Sequence, residues 1–245
     1  MKFIMDAKGV IPVNQTLSRS LSGQVSRTIG ERILEGVLQP GQLLPDEVKL
    51  CEEFGVSRTV IREAVKMLVA KGMLEVRQRI GTRVQDIRNW QMLDRDILLW
   101  HQGIPVDNDR IMRLLELRQS IEPDAARYAA ERRTEADLEN IFNALDRMAK
   151  NLDESNEYVI ADAQFHIAIL RAAHNPYLDS LENAIFAGLM LSIRLTNPDR
   201  DYNKRSLPFH QNIAEVIRKQ DTEGAYMRMK EHLADSNRRL LEQMS

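Results

Sequence analysis

The chain has 245 residues, 43% of them hydrophobic and 29% charged, with a formal net charge of -2. That length accommodates two domains with separate cores, and the composition of an ordinary globular protein excludes a disordered or fibrous one. No segment approaches the ~20 apolar residues that cross a bilayer, so no membrane insertion or secretion is expected. The single cysteine, Cys51, precludes an internal disulfide and fits a small buried side chain in a reducing cytoplasm.

Residues 1–19 are polar, with Gly9 and Pro12 among several Ser and Asn, and read as a mobile N-terminal arm. Ser22 is placed to cap a helix carrying Val25, Ile29, Ile33 and Val37, closing at Pro40-Gly41. Pro45-Asp46-Glu47-Val48 to Phe54 reads as a shorter helix, with Pro in its first turn and acids at its positive end. Gly55-Val56 leaves only a tight turn before the stretch Ser57 to Gly72. There Ser57 suits the N-cap and Gly72 the left-handed residue past the end. Ile61, Ala64, Val65 and Leu68 recur at i, i+3, i+4 and i+7 as an apolar stripe, with Arg58, Arg62 and Lys66 every fourth residue beside it. This is a helix-turn-helix pattern.

An isolated basic triad also describes a solvated helix face. The charge is nevertheless concentrated: Val56 to Val84 holds seven Lys or Arg (58, 62, 66, 71, 77, 79, 83) against two acids (63, 75), a balance of +5. Such local gathering reconciles a net negative chain with nucleic-acid binding. Met73 to Arg77 and Thr82 to Val84 read as short strands around the loop Gln78-Arg79-Ile80-Gly81, a wing beside the second helix.

Residues 89–107 form a connector too apolar to hang free, with Trp90, Leu93, Ile97, Leu98, Leu99 and Trp100. From residue 108 to 245 the pattern is helical throughout. Ile111, Leu114, Leu115, Arg118, Ile121 and Ala125 share one long helix, with Pro123 as the place for a bend. Thr134-x-x-Asp137 has the form of a capping box ahead of Leu138, Ile141, Leu145 and Met148. Further helices are expected over Tyr158–Ala173, Leu178–Leu195, Lys204–Lys219 and Thr222–Met244. Asp162 and His166 fall on one face, which fits a cation site or a simple surface hydrogen bond. His210 and His232 follow, one in each of the last two helices. His101 and His174, in the connector and at a helix end, are given no site.

Pro40-Gly41, Leu44-Pro45-x-Glu47, Leu50-Cys51-x-x-Phe54-Gly55-Val56-Ser57-Arg58-Thr59-x-x-Arg62-Glu63-Ala64 and Gly72-x-Leu74 together resemble the winged-helix domain of GntR-family transcription regulators, over roughly residues 20–88. The resemblance implies that Arg58 and Arg62 contact operator guanines or phosphates. It further implies Ser57 and Thr59 at phosphates by the helix N-terminus, and the wing near Arg79, Gly81 and Thr82 in the minor groove. Double-stranded DNA recognised by bidentate arginine is consistent chemistry. Two positions depart from the pattern: many members have Arg at Val48 and Gly at Arg79.

Asp162-Ala-Gln-Phe-His166, Asn175-Pro-Tyr-Leu178, the His210 helix and Met229-Lys-Glu-His232-Leu233 resemble the all-α, FadR-type (FCD) effector domain of that family, over about 108–243. By that resemblance Asp162, His166, His210 and His232 ligate a divalent cation, often zinc. Arg118-x-x-x-Glu122 falls on the helix that faces the cavity in that domain, making Arg118 a candidate anion clamp and Arg194 a second; both also fit plain salt bridges. A metal held by three imidazoles and a carboxylate, with positions left open, attracts a chelating organic acid. The connector Leu93-Asp-x-Asp96-x-Leu98-x-Trp100 is similar to that of sugar-acid, D-galactonate-type repressors, which implies a hexonate or hexuronate effector. The expectation is therefore a mostly α, cytoplasmic, homodimeric repressor released by its metabolite and without catalytic residues. A metal-responsive DNA-bound sensor is the first alternative. A metal-dependent hydrolase is the second, although no HExxH-type helix supplies its base.

Overall fold

The computed structural model describes residues 3–6, 9–12, 20–101, 104, 108–196 and 200–244. They divide into two units, Met1–Pro105 and Val106–Ser245, with eleven α-helices and two antiparallel strand pairs among the described residues.

Strands β1 (Phe3–Asp6) and β2 (Gly9–Pro12) pair with Phe3 opposite Pro12 and Asp6 opposite Gly9. The part of the expected arm that is described is thus a hairpin, because Phe3, Ile4, Val10 and Ile11 are strand formers. Helix α1 (Leu21–Leu34) is capped by Ser20, whose hydroxyl accepts from the Gly23 amide at 3.1 Å. Ser22, the expected cap, instead donates to Ser20 Oγ. Val25, Ile29 and Ile33 are buried, whereas Val37 lies past the helix end and is exposed.

Helix α2 (Glu47–Phe54) is capped by Asp46, which accepts from the Lys49 amide at 2.9 Å, so Pro45 precedes the helix rather than opening it. Gly55, at φ +62°, makes the left-handed turn into α3 (Arg58–Ala70). Ser57 caps α3 by accepting from the Val60 amide, and Ile61, Ala64 and Leu68 form its buried stripe. Strands β3 (Leu74–Arg77) and β4 (Gly81–Val84) build the wing, with Leu74 opposite Val84 and Arg77 opposite Gly81. Leu44 ties the wing to the helices by donating its amide to the Thr82 carbonyl at 2.8 Å.

The segment expected as a connector contributes to the core of this first unit. After a 3-10 turn at Ile87–Asn89, helix α4 (Arg95–His101) buries Ile97 and Trp100 together with Ile29, Leu68 and Met73. Trp100 lies so close to α1 that a Cβ on Gly30 would stand 2.3 Å from its ring. Lys71, at the end of α3, places its ammonium 2.8 Å from Asp94 and 2.7 Å from Asp96. Each fully buried side chain of this kind contributes about 1.5–3 kcal/mol of transfer free energy, which explains why so apolar a segment folds onto the first unit.

In the second unit α5 (Asn108–Arg132) continues through Pro123. Thr134 and Asp137 form the capping box of α6 (Glu135–Lys150): the Thr134 hydroxyl accepts from the Asp137 amide, and Asp137 accepts from the Thr134 amide. Helix α7 (Ser155–Ala172) begins ahead of Tyr158. The single helix expected over Leu178–Leu195 is two, α8 (Pro176–Asp179) and α9 (Glu182–Thr196). Asn175 and Pro176 start a helical turn early, and Ser180, donating to the Tyr177 carbonyl, closes it. Helices α10 (Arg200–Arg218) and α11 (Thr222–Met244) complete the bundle. α5 packs along α11 and α6 along α7, around a core that includes Ile141, Met148, Phe165, Ile213 and Met229. No described helix is long and apolar enough to cross a membrane.

Candidate nucleic-acid interface and candidate metal centre

At the start of α3, Ser57, Arg58, Thr59 and Arg62 are all exposed. The amphipathic pattern requires this, since Ile61 and Ala64 take the inward positions. Arg58 makes no ion pair with the described residues. Arg62 is bound side-on by Glu47 of α2: Nε lies 2.5 Å from Oε1 and Nη2 donates to Oε2 at 3.0 Å. That hydrogen bond holds the Glu47 carboxyl below its ordinary range and raises the guanidinium. Between α2, α3 and the wing runs a cleft of about 600 Å³, with Leu50, Ile61, Val65 and Val76 among its lining residues.

Arg79 is exposed at the wing tip with φ +64°. Such a backbone is ordinary for Gly and costs another residue roughly 1–2 kcal/mol. Gly81, at φ +115°, opens β4, and Thr82 is half-buried. The seven expected contact residues therefore belong to the exposed N-terminal part of α3 and the wing, with Thr82 the least exposed class among them. Val48 is 47% exposed on α2, so this helix presents an apolar side chain where an arginine would otherwise stand.

In the second unit Asp162 and His166 from α7, His210 from α10 and His232 from α11 converge. His166 Nε2 and His210 Nε2 each lie 3.2 Å from the same Asp162 oxygen. His166, His210 and His232 are buried, with ligand atoms within 4.8 Å of one another. The His166 and His232 rings stack at 5.3 Å, and the His210 and His232 rings meet at 4.3 Å. A further acid, not singled out as a site residue from the sequence, supports them: buried Glu122 of α5 places Oε2 2.5 Å from His166 Nδ1. Its other oxygen accepts from Arg118 Nε at 2.6 Å. The i, i+4 spacing of Arg118 and Glu122 was visible; that Glu122 faces a histidine depends on packing between helices.

The electrostatics follow. Burial pushes the Glu122 carboxyl up, and the Arg118 guanidinium and His166 ring more than reverse it, to about 2. Burial likewise opposes ionisation of Asp162, yet His210 and His166 hold it well below the carboxylate range. For His166, desolvation is outweighed by Glu122 and Asp162, which raise it. His232 is driven well down, first by burial and then by the neighbouring His210 and His166. It is therefore a neutral imidazole with a lone pair to give.

The donor set fits a divalent cation. His210 Nδ1 lies 3.0 Å from the Ser206 carbonyl, which only accepts, so that nitrogen carries a proton and Nε2 is the end turned to Asp162. Nε2 faces a carboxylate oxygen, an arrangement that calls for a proton or a cation between them. The 3.2 Å nitrogen–oxygen separations are close to the edge, about 3.3 Å, of a tetrahedron with ~2.0–2.1 Å metal–ligand bonds. Glu122 behind His166 is the carboxylate support that metal-binding imidazoles generally have.

Arg118 is 2% exposed, and its Nη2 is buried with no hydrogen-bond partner among the described residues. Gly188 of α9 gives its stem room, since a Cβ there would stand 3.3 Å from Arg118 Cδ. Arg194 belongs to α9, but its side chain lies outside the described residues. His174 pairs with Asp137 at 2.8 Å, and His101 is buried in the first unit.

A winged helix-turn-helix with a basic exposed helix face, followed by a helical bundle around buried ionisable groups, defines a two-domain transcription regulator. The chain belongs to the GntR family: residues 21–84 match the model for bacterial regulatory proteins of the gntR family, and residues 113–235 match the FCD domain. It is 36% identical over 217 residues to the galactonate operon transcriptional repressor of Escherichia coli K12, covering 88% of this chain and 94% of that one. It is 31% identical over 227 residues to the Uxu operon transcriptional regulator of the same organism, covering 89% and 86%. Among solved structures, Lar, described as controlling expression of the Listeria monocytogenes agr system, superposes with a TM-score of 0.66 at 24% identity. That match covers 91% of this chain and 98% of Lar, and supports the fold. The family consists of regulators rather than enzymes, which sets the hydrolase alternative aside.

Proposed function

We propose that this regulator represses a sugar-acid catabolic operon and releases its operator when a hexonate or hexuronate binds the second unit. The observation that carries the reading is the row Arg118, Glu122, His166, Asp162, buried except for the half-buried Asp162, which joins an arginine whose Nη2 has no partner among the described residues to a cluster of imidazoles. Relatives described as galactonate and Uxu operon regulators support the choice of acid.

Asp162, His166, His210 and His232 would hold a divalent ion, zinc by preference for this nitrogen-rich set. When bound, the ion supplies a Lewis-acid contact for a carboxylate or hydroxyl oxygen. Arg118 Nη2 donates to a second anionic oxygen, and Glu122 fixes the guanidinium and the His166 ring at once. Differential binding to two arrangements of the protein then shifts the population that can grip DNA. Two copies reading two half-sites are the arrangement that gives operator-level specificity, so the active species is a homodimer.

A thermal-shift screen of zinc-loaded protein against hexonates, hexuronates and smaller hydroxy acids tests this. A true effector raises the melting temperature by mass action and weakens DNA binding at the same concentrations. If no acid does either, while metal alone switches DNA affinity, the ion is the signal. Burial of the three histidines favours that second reading as the alternative.

A further inference from the structure

Arginine has five N–H donors on a planar fork. Glu47 engages two of them, on Nε and Nη2, in a two-point contact across α2 and α3. What remains is the opposite edge: both N–H bonds of Nη1 and the second of Nη2. That edge is the one that meets O6 and N7 of guanine. Arg62 stays 64% exposed while Glu47 is 29% exposed, so the acid sits behind the arginine as seen from solvent. Leu50 and Ile61, which hold the two helices together, are both buried, so the acid stands on a fixed support.

We propose that Glu47 is a positioning residue for DNA readout, holding Arg62 by its side edge so that the end edge is presented to a guanine. The inference rests on α3 being the DNA-reading helix. It has a second consequence. The Arg62–Glu47 pair carries little net charge, so it contributes sequence discrimination but little counterion release; Lys66 is likewise paired, with Glu63 at 2.8 Å, which leaves Arg58 to supply most of the salt-sensitive attraction.

The test starts from a duplex that the wild-type full-length protein enriches from a random-sequence library, with a scrambled duplex as reference. Fluorescence anisotropy over a salt series then compares E47A, E47Q, R62A and the double variant E47A/R62A. E47A should lower the enriched-to-scrambled affinity ratio at least tenfold while binding the scrambled duplex as well as wild type or better. Its salt slope should steepen by about one, because a free Arg62 now counts as a full charge. R62A should relax the same base pair, and the double variant should be no worse than R62A alone. E47Q keeps one acceptor and should fall between wild type and E47A, and it carries the comparison if E47A melts lower.

A ratio within twofold of wild type in E47A, beside a tenfold loss in R62A, overturns the positioning role and leaves the DNA-reading helix intact. A wild-type protein that enriches no sequence overturns both.

Discussion

The two units handle charge in opposite ways. In the first, the residues offered for function, Arg58, Arg62 and Arg79, stand in solvent above a core of aliphatic and aromatic side chains. In the second, Arg118, Glu122, His166, His210 and His232 are all buried. Exposed charge suits a polyanion met at a surface, where desolvation is slight and salt modulates the attraction. Buried charge is costly unless each group has a partner, so in the second unit these groups are held in contact with one another. One exception sharpens the contrast: Lys71 is nearly buried in the first unit, where burial depresses it but Asp94 and Asp96 raise it above its ordinary value. It fastens α4 and makes no contribution to an outer basic face.

The largest expected effect lies in the buried row. Glu122→Ala leaves Arg118 and His166 without their shared counter-charge, and should cost about 3–5 kcal/mol, read as a lowered midpoint in denaturant. The same residue predicts an acid response. Its folded pKa of about 2 lies below the ordinary 4.5, so its stabilisation is complete above pH 4.5 and is lost as the pH falls toward 2. E122Q should flatten that part of the stability–pH curve, and an unchanged acid limb would show that Glu122 is not the responsible carboxylate.

The reader should answer differently. Arg58→Ala should weaken binding to an enriched operator by ~1–3 kcal/mol with an unaltered melting temperature. A fall in stability comparable to that of E122A would break the comparison between the units. Next comes the seam within the first unit. Gly30→Ala places a methyl against the Trp100 ring and should destabilise by roughly 1–3 kcal/mol through overpacking, measurable by the fluorescence of that tryptophan during unfolding. Smallest is Arg79→Gly, which removes a left-handed strain but frees the unfolded chain. Stability should move by less than ~1 kcal/mol, while DNA affinity falls through the lost charge; a large stability change would mean that the tip is held by more than its own backbone.

Much of this was legible because the signals are local. Ser57 and Gly72 delimit α3, and Thr134 with Asp137 opens α6, since a cap is satisfied by amides two or three residues away. Where two candidates stood close together, sequence chose wrongly: Ser22 for Ser20, and Pro45 for Asp46 as the start of α2. Either residue can act as a cap or a first-turn residue, and only the backbone path decides. The break between α8 and α9 was hidden for a similar reason, because an apolar run is compatible with one helix or two.

Long-range facts were harder. The histidines and Asp162 come together from three helices, and periodicity alone could not have chosen that face over a surface hydrogen bond. The sequence shows the spacing of Glu122 to Arg118, but its contact with His166 crosses from α5 to α7. The fate of α4 was likewise undecidable from an apolar stretch: Trp100 needed the bare surface of Gly30, seventy positions earlier in the sequence, to pack where it does.

The Glu122 carboxylate touches an arginine with one oxygen and an imidazole with the other. If an acid occupies Arg118, the guanidinium pulls less on Glu122, which then makes the His166 ring a better electron donor. An occupant at either end would thereby tighten the grip at the other, and thermodynamic reciprocity would make the two gains equal. Metal and metabolite would then be co-ligands rather than independent tenants, and scarcity of one would blunt the cell's response to the other.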